Sequence, residues 1–339
     1  MKRLFPLLPA LVLLFGCKQP NPHSVTPAFY YWKQSWDTTR ATQAAIRQLP
    51  ATKLYIKLFD LAPVPGQGPL PVAVLNTRAP LPENLEIVPV VFLMNEIWAK
   101  PDTALPSKVA NLVADLCSNI PAARIREIQV DCDWTQTTKA AYFSFLEQIR
   151  RQPFFKNRQL SATVRLYQLK YADRAGIPPV DRGLLMCYNM GNMRQAGRHN
   201  SILDIATLQS YLGTHTISRY SLPLDVALPL FEWQILFRQG TVYEGIVRQV
   251  KLDDNSVFAE TGDGLYTVKK DTLLEGYSLR TNDVIRREFV DIATLKQAAR
   301  LLARQLPPEN RTVIYYHLDS LILRNYPLNE LQEIIRILN

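Results

Sequence analysis

A (β/α)8 (TIM) barrel with a small β-rich insertion after its seventh strand is the fold this sequence predicts. Three observations predict it: eight apolar runs of strand length, helical periodicity between most of them, and no glycine-rich phosphate loop. The strand candidates are FYYWKQSW (29–36), KLYIKLFDL (53–61), EIVPVVFLM (86–94) and EIQVDCDW (127–134). LSATVRLYQ (160–168), GLLMCYNM (183–190), DVALPLFEW (225–233) and RTVIYYHLD (311–319) complete the eight. Helical segments fit at 38–49, 106–119, 137–151, 201–212, 291–305 and 327–338, with Ser107 and Asn329 as candidate caps for the second and the last. The competing fold, a doubly wound open sheet, carries a glycine-rich turn that opens a helix. Here PGQGP (65–69) is flanked by proline and opens none.

Two stretches depart from a plain repeat. Residues 62–85 form a proline-rich segment with little helical character. Residues 234–290 are too long for one strand–helix unit. The latter contain GTVYEGIVRQVKL and GLYTVKK, with the turn signals DDNS and GDG between them, and read as the β-rich insertion.

The N-terminus carries an address. MKRLFPLLPALVLLFGC has Lys2 and Arg3, then an apolar run too short to span a bilayer, the layout of a signal peptide over residues 1–16. Leu14-Phe15-Gly16-Cys17 resembles the lipobox of bacterial lipoproteins. That resemblance implies cleavage before Cys17, lipidation of its thiol, and a lipid-anchored place in the bacterial cell envelope, in the outer membrane or facing the periplasm. Residues 17–28, rich in proline and polar side chains, then serve as a tether, and residues 29–339 form the barrel. Loss of Lys2 and Arg3 lowers the formal charge from +9 to +7, without dense basic runs, which argues against a nucleic-acid partner. Cys117, Cys132 and Cys187 show no CxxC spacing and no histidine cluster, so neither a metal site nor a cofactor is expected; a Cys117–Cys132 disulfide stays open.

The chemistry concentrates in EIQVDCDWTQT (127–137). Side chains alternate along a strand, so Gln129, Asp131 and Asp133 share one face and Val130, Cys132 and Trp134 the other. In a barrel the polar set points into the lumen and rises toward the rim. Two carboxylates there repel, which calls for a raised pKa or a cationic partner. Arg165, of lumen parity on the fifth strand, is the natural neighbour, either as a structural ion pair with Asp131 or as part of a site.

Three short motifs in order carry a resemblance to the chitinase-like barrels of glycoside hydrolase family 18, and the mature chain also resembles bacterial glycoside-hydrolase-like TIM-barrel lipoproteins. The family's D-x-D-x-E on strand four faces Asp131, Asp133 and Thr135; its M-x-Y-D on strand six faces Met186, Tyr188 and Asn189. Its G-x-P-x-Y-G on strand seven faces Ala227, Pro229, Phe231 and Glu232. The family's general acid is the glutamate, and Thr135 is far too weakly acidic for that role. Shifting the register by two residues makes Asp133 the acid with Asp131 assisting, and both registers stay open.

The resemblance implies a glycan, N-acetylated sugars first, with Asp133, Asp131 and Tyr188 as catalytic candidates. Arg165, Asn189 and Glu232 are candidate substrate contacts, Glu232 also as a second carboxylate. Asp60, Asn95, Glu96, His317 and Asp319 are further strand-end candidates. Aromatics near strand ends (Tyr31, Trp32, Trp36, Trp98, Trp134, Tyr167, Phe231 and Trp233) suit a sugar groove, with Trp32, Trp36 and Trp233 the foremost. The expected functions are a glycoside hydrolase acting through Asp133, a glycan-binding barrel without turnover, or an envelope scaffold.

Overall fold

The computed structural model describes residues 23–339 other than 37, 38, 78, 101 and 249; the signal peptide and Cys17 lie outside the described residues. Eight parallel strands close into a barrel: β1 Val25–Tyr31, β2 Lys53–Val64, β3 Glu86–Leu93, β4 Glu127–Cys132, β5 Gln159–Arg165, β6 Arg182–Met186, β7 Leu224–Pro229 and β8 Arg311–Tyr316. Closure is made by β1, which pairs with β8 from Val25↔Arg311 and with β2 from Ala28↔Lys53. Around it lie α1 Arg40–Gln48, α2 Leu105–Leu116, α3 Lys139–Ile149, α4 Leu166–Lys170, α5 Ala172–Ala175, α6 Ile205–Leu212, α7 Ile292–Ala303 and α8 Leu328–Leu338. One continuous core of strand and helix side chains, from Phe29 and Leu54 to Leu302 and Leu331, fills the space between the layers.

Several boundaries differ from the sequence reading. β1 begins at Val25, so residues 25–28, read as tether, belong to the barrel: Arg311 N–H donates to Ser24, and Val25 N–H to Asn339 Oδ1. The proline-rich segment is a hairpin. β2 runs on to Val64 and returns as Gly68–Val72, antiparallel to it, through Gly66 and Gly68 at φ 77° and 81°. Pro69 and Pro71 are tolerated there because the returning strand is the outermost of its sheet, where a missing N–H breaks no further ladder. Neither expected cap serves. Ala104 precedes α2, with Asp102 accepting from its N–H at 2.8 Å, and α8 follows Pro327, leaving Asn329 inside its first turn.

After β7 the chain builds a five-stranded antiparallel sheet from Trp233–Arg238, Val242–Val247, Phe258–Gly262, Leu265–Val268 and Val284–Glu288, plus the hairpin Thr272–Leu274 with Tyr277–Leu279. It has its own small core, centred on Leu236, Phe258, Val268 and Ile285. Gly264 at φ 74° makes a tight turn beside Arg287, whose carbonyl lies 2.5 Å from where a Cβ would be.

Candidate functional site

The alternation on β4 sorts its side chains as the sequence predicts. Cys132 accepts from Trp98 Nε1 at 3.4 Å, and Trp134 stacks on Tyr142 of α3 while its indole donates to Ala175. On the lumen side a polar ladder climbs between β4 and β5. Gln129 donates to Ser161 Oγ at 3.3 Å, Thr163 donates to Asp131, and Arg165 Nη1 lies 2.6 Å from Asp133 Oδ2. The parallel register, Gln129 opposite Ser161, brings each pair together. The partner of Arg165 is thus Asp133, and the alternative pairing with Asp131 is not formed.

The two aspartates differ by depth. Asp131 is 6% exposed, and burial first, then the neighbouring Asp133 charge, push its carboxyl up to about 7, against the opposing Thr163 hydroxyl and Arg165. Asp133, one step higher, keeps 42% of its side chain exposed at the rim. The tyrosine phenols at this level, Tyr30, Tyr188 and Tyr316, are raised by burial and by neighbouring groups including Asp131, and stay protonated donors.

A cavity of about 560 Å³ opens over the C-terminal ends of β4, β5 and β6, where barrels of this kind hold ligands. Asp133, Thr135, Arg165, Tyr188 and Asn189 line it, and Tyr167, Met190 and Tyr211 extend its wall. Asn189 sits at φ 53°, a left-handed conformation that asparagine tolerates, and its carbonyl accepts from Arg165 Nη2 at 3.1 Å. Its own Oδ1 is buried without a hydrogen bond. Tyr188 packs its ring against Tyr316 and Phe231. The Thr135 hydroxyl is engaged with those of Thr137 and Thr138 at 2.9 and 3.2 Å in the turn before α3.

Other expected contacts fall elsewhere. Trp36 is a correction: it is fully buried, packed on Tyr31 with its indole bonded to Pro80, and offers no face to a ligand. Glu232 is another. It pairs with Arg287 at 2.7 Å and borders separate hollows beside the inserted sheet, so it is no second carboxylate for the Asp133 cavity. Trp233 is half-buried, and its indole N–H is committed to Glu288 at 2.8 Å. Trp32 packs among Tyr30, Phe92 and Tyr316 with the Lys57 ammonium 5.5 Å from its ring, outside the walls of that cavity.

Three of the further strand-end candidates are partnered. Asp60 pairs with Lys57, Asp319 with Lys33, and Asn95 accepts from Thr138. His317 is buried, and that burial lowers its pKa to about 4. Cys117, Cys132 and Cys187 are buried free thiols. No group of histidine, cysteine and acidic side chains among the described residues is arranged to hold a metal ion. Sequence reasoning missed Tyr211, whose position on α6 gave no strand-end signal.

The fold is found in solved structures of low sequence identity. The Bacillus megaterium spore cortex-lytic enzyme SleL superposes with a TM-score of 0.55 at 12% identity, over 94% of this chain and 75% of that one. The C-terminal domain of a putative chitinase from Desulfitobacterium hafniense gives 0.53 at 12%, over 93% and 100%. A Group IV chitinase from Ostrinia furnacalis, solved with allosamidin, gives 0.52 at 10%, over 92% and 97%. No protein-family model and no curated protein matches the sequence. The chain is thus similar in fold to the barrels of chitinases and of a spore cortex-lytic enzyme.

Proposed function

We propose that this barrel binds a glycan, with N-acetylated sugars the first class to test, in the cleft over Asp133, Arg165 and Tyr188, and that it does so without turnover. One observation carries the reading. In the unshifted register of the resemblance Thr135 takes the place of the family's acid, and the one carboxylate lining the cleft among the described residues, Asp133, is bound to Arg165. The surroundings suit recognition. Asp133 offers an acceptor oxygen, Arg165 and Tyr188 offer donors, and the aromatic wall offers faces for sugar C–H groups.

A second reading is hydrolysis with Asp133 as general acid and Asp131, whose carboxyl burial raises to about 7, assisting from one step below on the same face of the strand. Calorimetric titration with N-acetylglucosamine oligomers, combined with a reducing-end assay, separates the two. Saturable binding with no new reducing ends supports the first. Cleavage that disappears in Asp133→Asn supports the second, and no binding of any oligomer removes both.

The same proposal includes a lipid at Cys17 and residence in the bacterial envelope, supported by the signal-peptide layout and the lipobox-like LFGC. Expressed in a bacterium, the wild-type chain is expected in the membrane fraction and Cys17→Ser in the soluble fraction. A wild-type chain found soluble would remove the anchor.

A further inference from the structure

We infer that the cleft continues outward over α4 onto a platform of tyrosines, and that its ligand is therefore an oligosaccharide reaching beyond the rim. The inference rests on the glycan reading above and adds where the chain of sugars leaves the barrel. Tyr167, at the first turn of α4, is 54% exposed, and both it and Tyr211 of α6 line the Asp133 cavity, so the surface is continuous with it. An exposed tyrosine alone is unremarkable. Here the ring is one of a fixed set. Tyr167 packs on Tyr171 with centroids 4.9 Å apart, and the Lys170 ammonium lies 5.6 Å from the Tyr171 ring and 5.5 Å from the Tyr211 ring. Lys170 also donates to the Ser210 carbonyl at 2.9 Å, tying α4 to α6. The rings are thus held in place before a ligand arrives, which lowers the ordering cost of binding.

The aromatics on the opposite side of the rim do not continue this cavity: Trp36 is in the core, Trp32 and Trp233 are not among its walls, and Phe231 borders a separate hollow. The Lys170 charge is already shared between two rings and a carbonyl, so the platform asks for an uncharged, C–H-faced ligand such as a neutral pyranose. An extended sugar chain seated on Asp133 and Arg165 is therefore directed along the β5–α4 side.

The test is calorimetric titration of the mature chain with N-acetylglucosamine oligomers from dimer to hexamer. Wild-type affinity is expected to rise with length. Tyr167→Ala should lose about tenfold for the hexamer, equivalent to about 1.4 kcal/mol, and clearly less for the dimer, and Tyr167→Phe should behave as wild type. Tyr167 is at the surface, so the fold should survive either change, which thermal melts would verify. Wild-type binding that Tyr167→Ala leaves unaltered at every length overturns the platform but not the glycan reading. So does a loss equal at all lengths, which would make Tyr167 part of the inner cleft. Failure of the wild-type chain to bind any oligomer overturns both.

Discussion

Asp131 and Asp133 are two residues apart and share a face, yet depth gives them different chemistry. Asp133 meets solvent and Arg165, whereas Asp131 is enclosed, and burial lifts its carboxyl to about 7. In the unfolded chain the same group has the ordinary aspartate value of 3.8. Between those values the folded protein keeps a proton that the unfolded chain has released, so this group's contribution to stability falls as pH rises from about 4 to about 7 and then levels off. Asp131→Asn removes the titration while keeping an oxygen for the Thr163 hydroxyl. Thermal melts across pH should show the variant more stable than wild type at pH 8, by on the order of a few kcal/mol, with the advantage shrinking as pH falls from about 7 to about 4. A residual slope is expected from Asp225, which burial raises to about 6. An Asn variant that is less stable at pH 8 would show that the Asp131 charge is needed for folding.

At the scale of elements, a buried carboxylate gathers several of the bonds that fasten the inserted sheet to the barrel. Glu288 accepts from Arg286 Nε at 2.7 Å, from Trp233 Nε1 at 2.8 Å, and from Ser201 N and Oγ at 2.7 and 2.6 Å. Arg286 meanwhile donates to the carbonyls of Met193, Gln195 and Gly197, in the loop that follows Asn189 and Met190 of the cleft. Removing one partner of a buried pair leaves an uncompensated charge. Glu288→Ala should therefore cost about 3–5 kcal/mol in denaturant unfolding and speed proteolysis within 191–201. A cost under about 1 kcal/mol would mean that the network does not hold the loop. This fastening was invisible in the sequence, because Ser201 and Glu288 are distant in the chain and RRE reads only as a charged strand end. The eight strands were legible, since burial on both faces leaves continuous apolar runs. Their ends were not: Leu166–Lys170 continues the pattern of β5 but turns helical where Gln168 accepts from the Arg165 N–H and donates to Trp134. The lumen parity of Gln129, Asp131, Asp133 and Arg165 could be read from period two. Which aromatics face a ligand could not, because Trp36 and Tyr167 look alike until packing buries one and exposes the other.

Across the whole molecule, the parallel barrel separates its ends. Ser24 and Val25 are bound to Asn310 and Asn339 at the N-terminal end of the strands, while the cleft opens at the C-terminal end. A chain tethered through its N-terminus would thus present the cleft away from the attachment point. On the proposed function an intact glycan rests in this cleft, held and not cut. A crystal structure of the mature chain soaked with an N-acetylglucosamine pentamer would show it. An uncleaved oligomer is expected over Asp133, Arg165 and Tyr188, running outward past Tyr167. An empty cleft at saturating oligomer, or a ligand broken above Asp133, would contradict it.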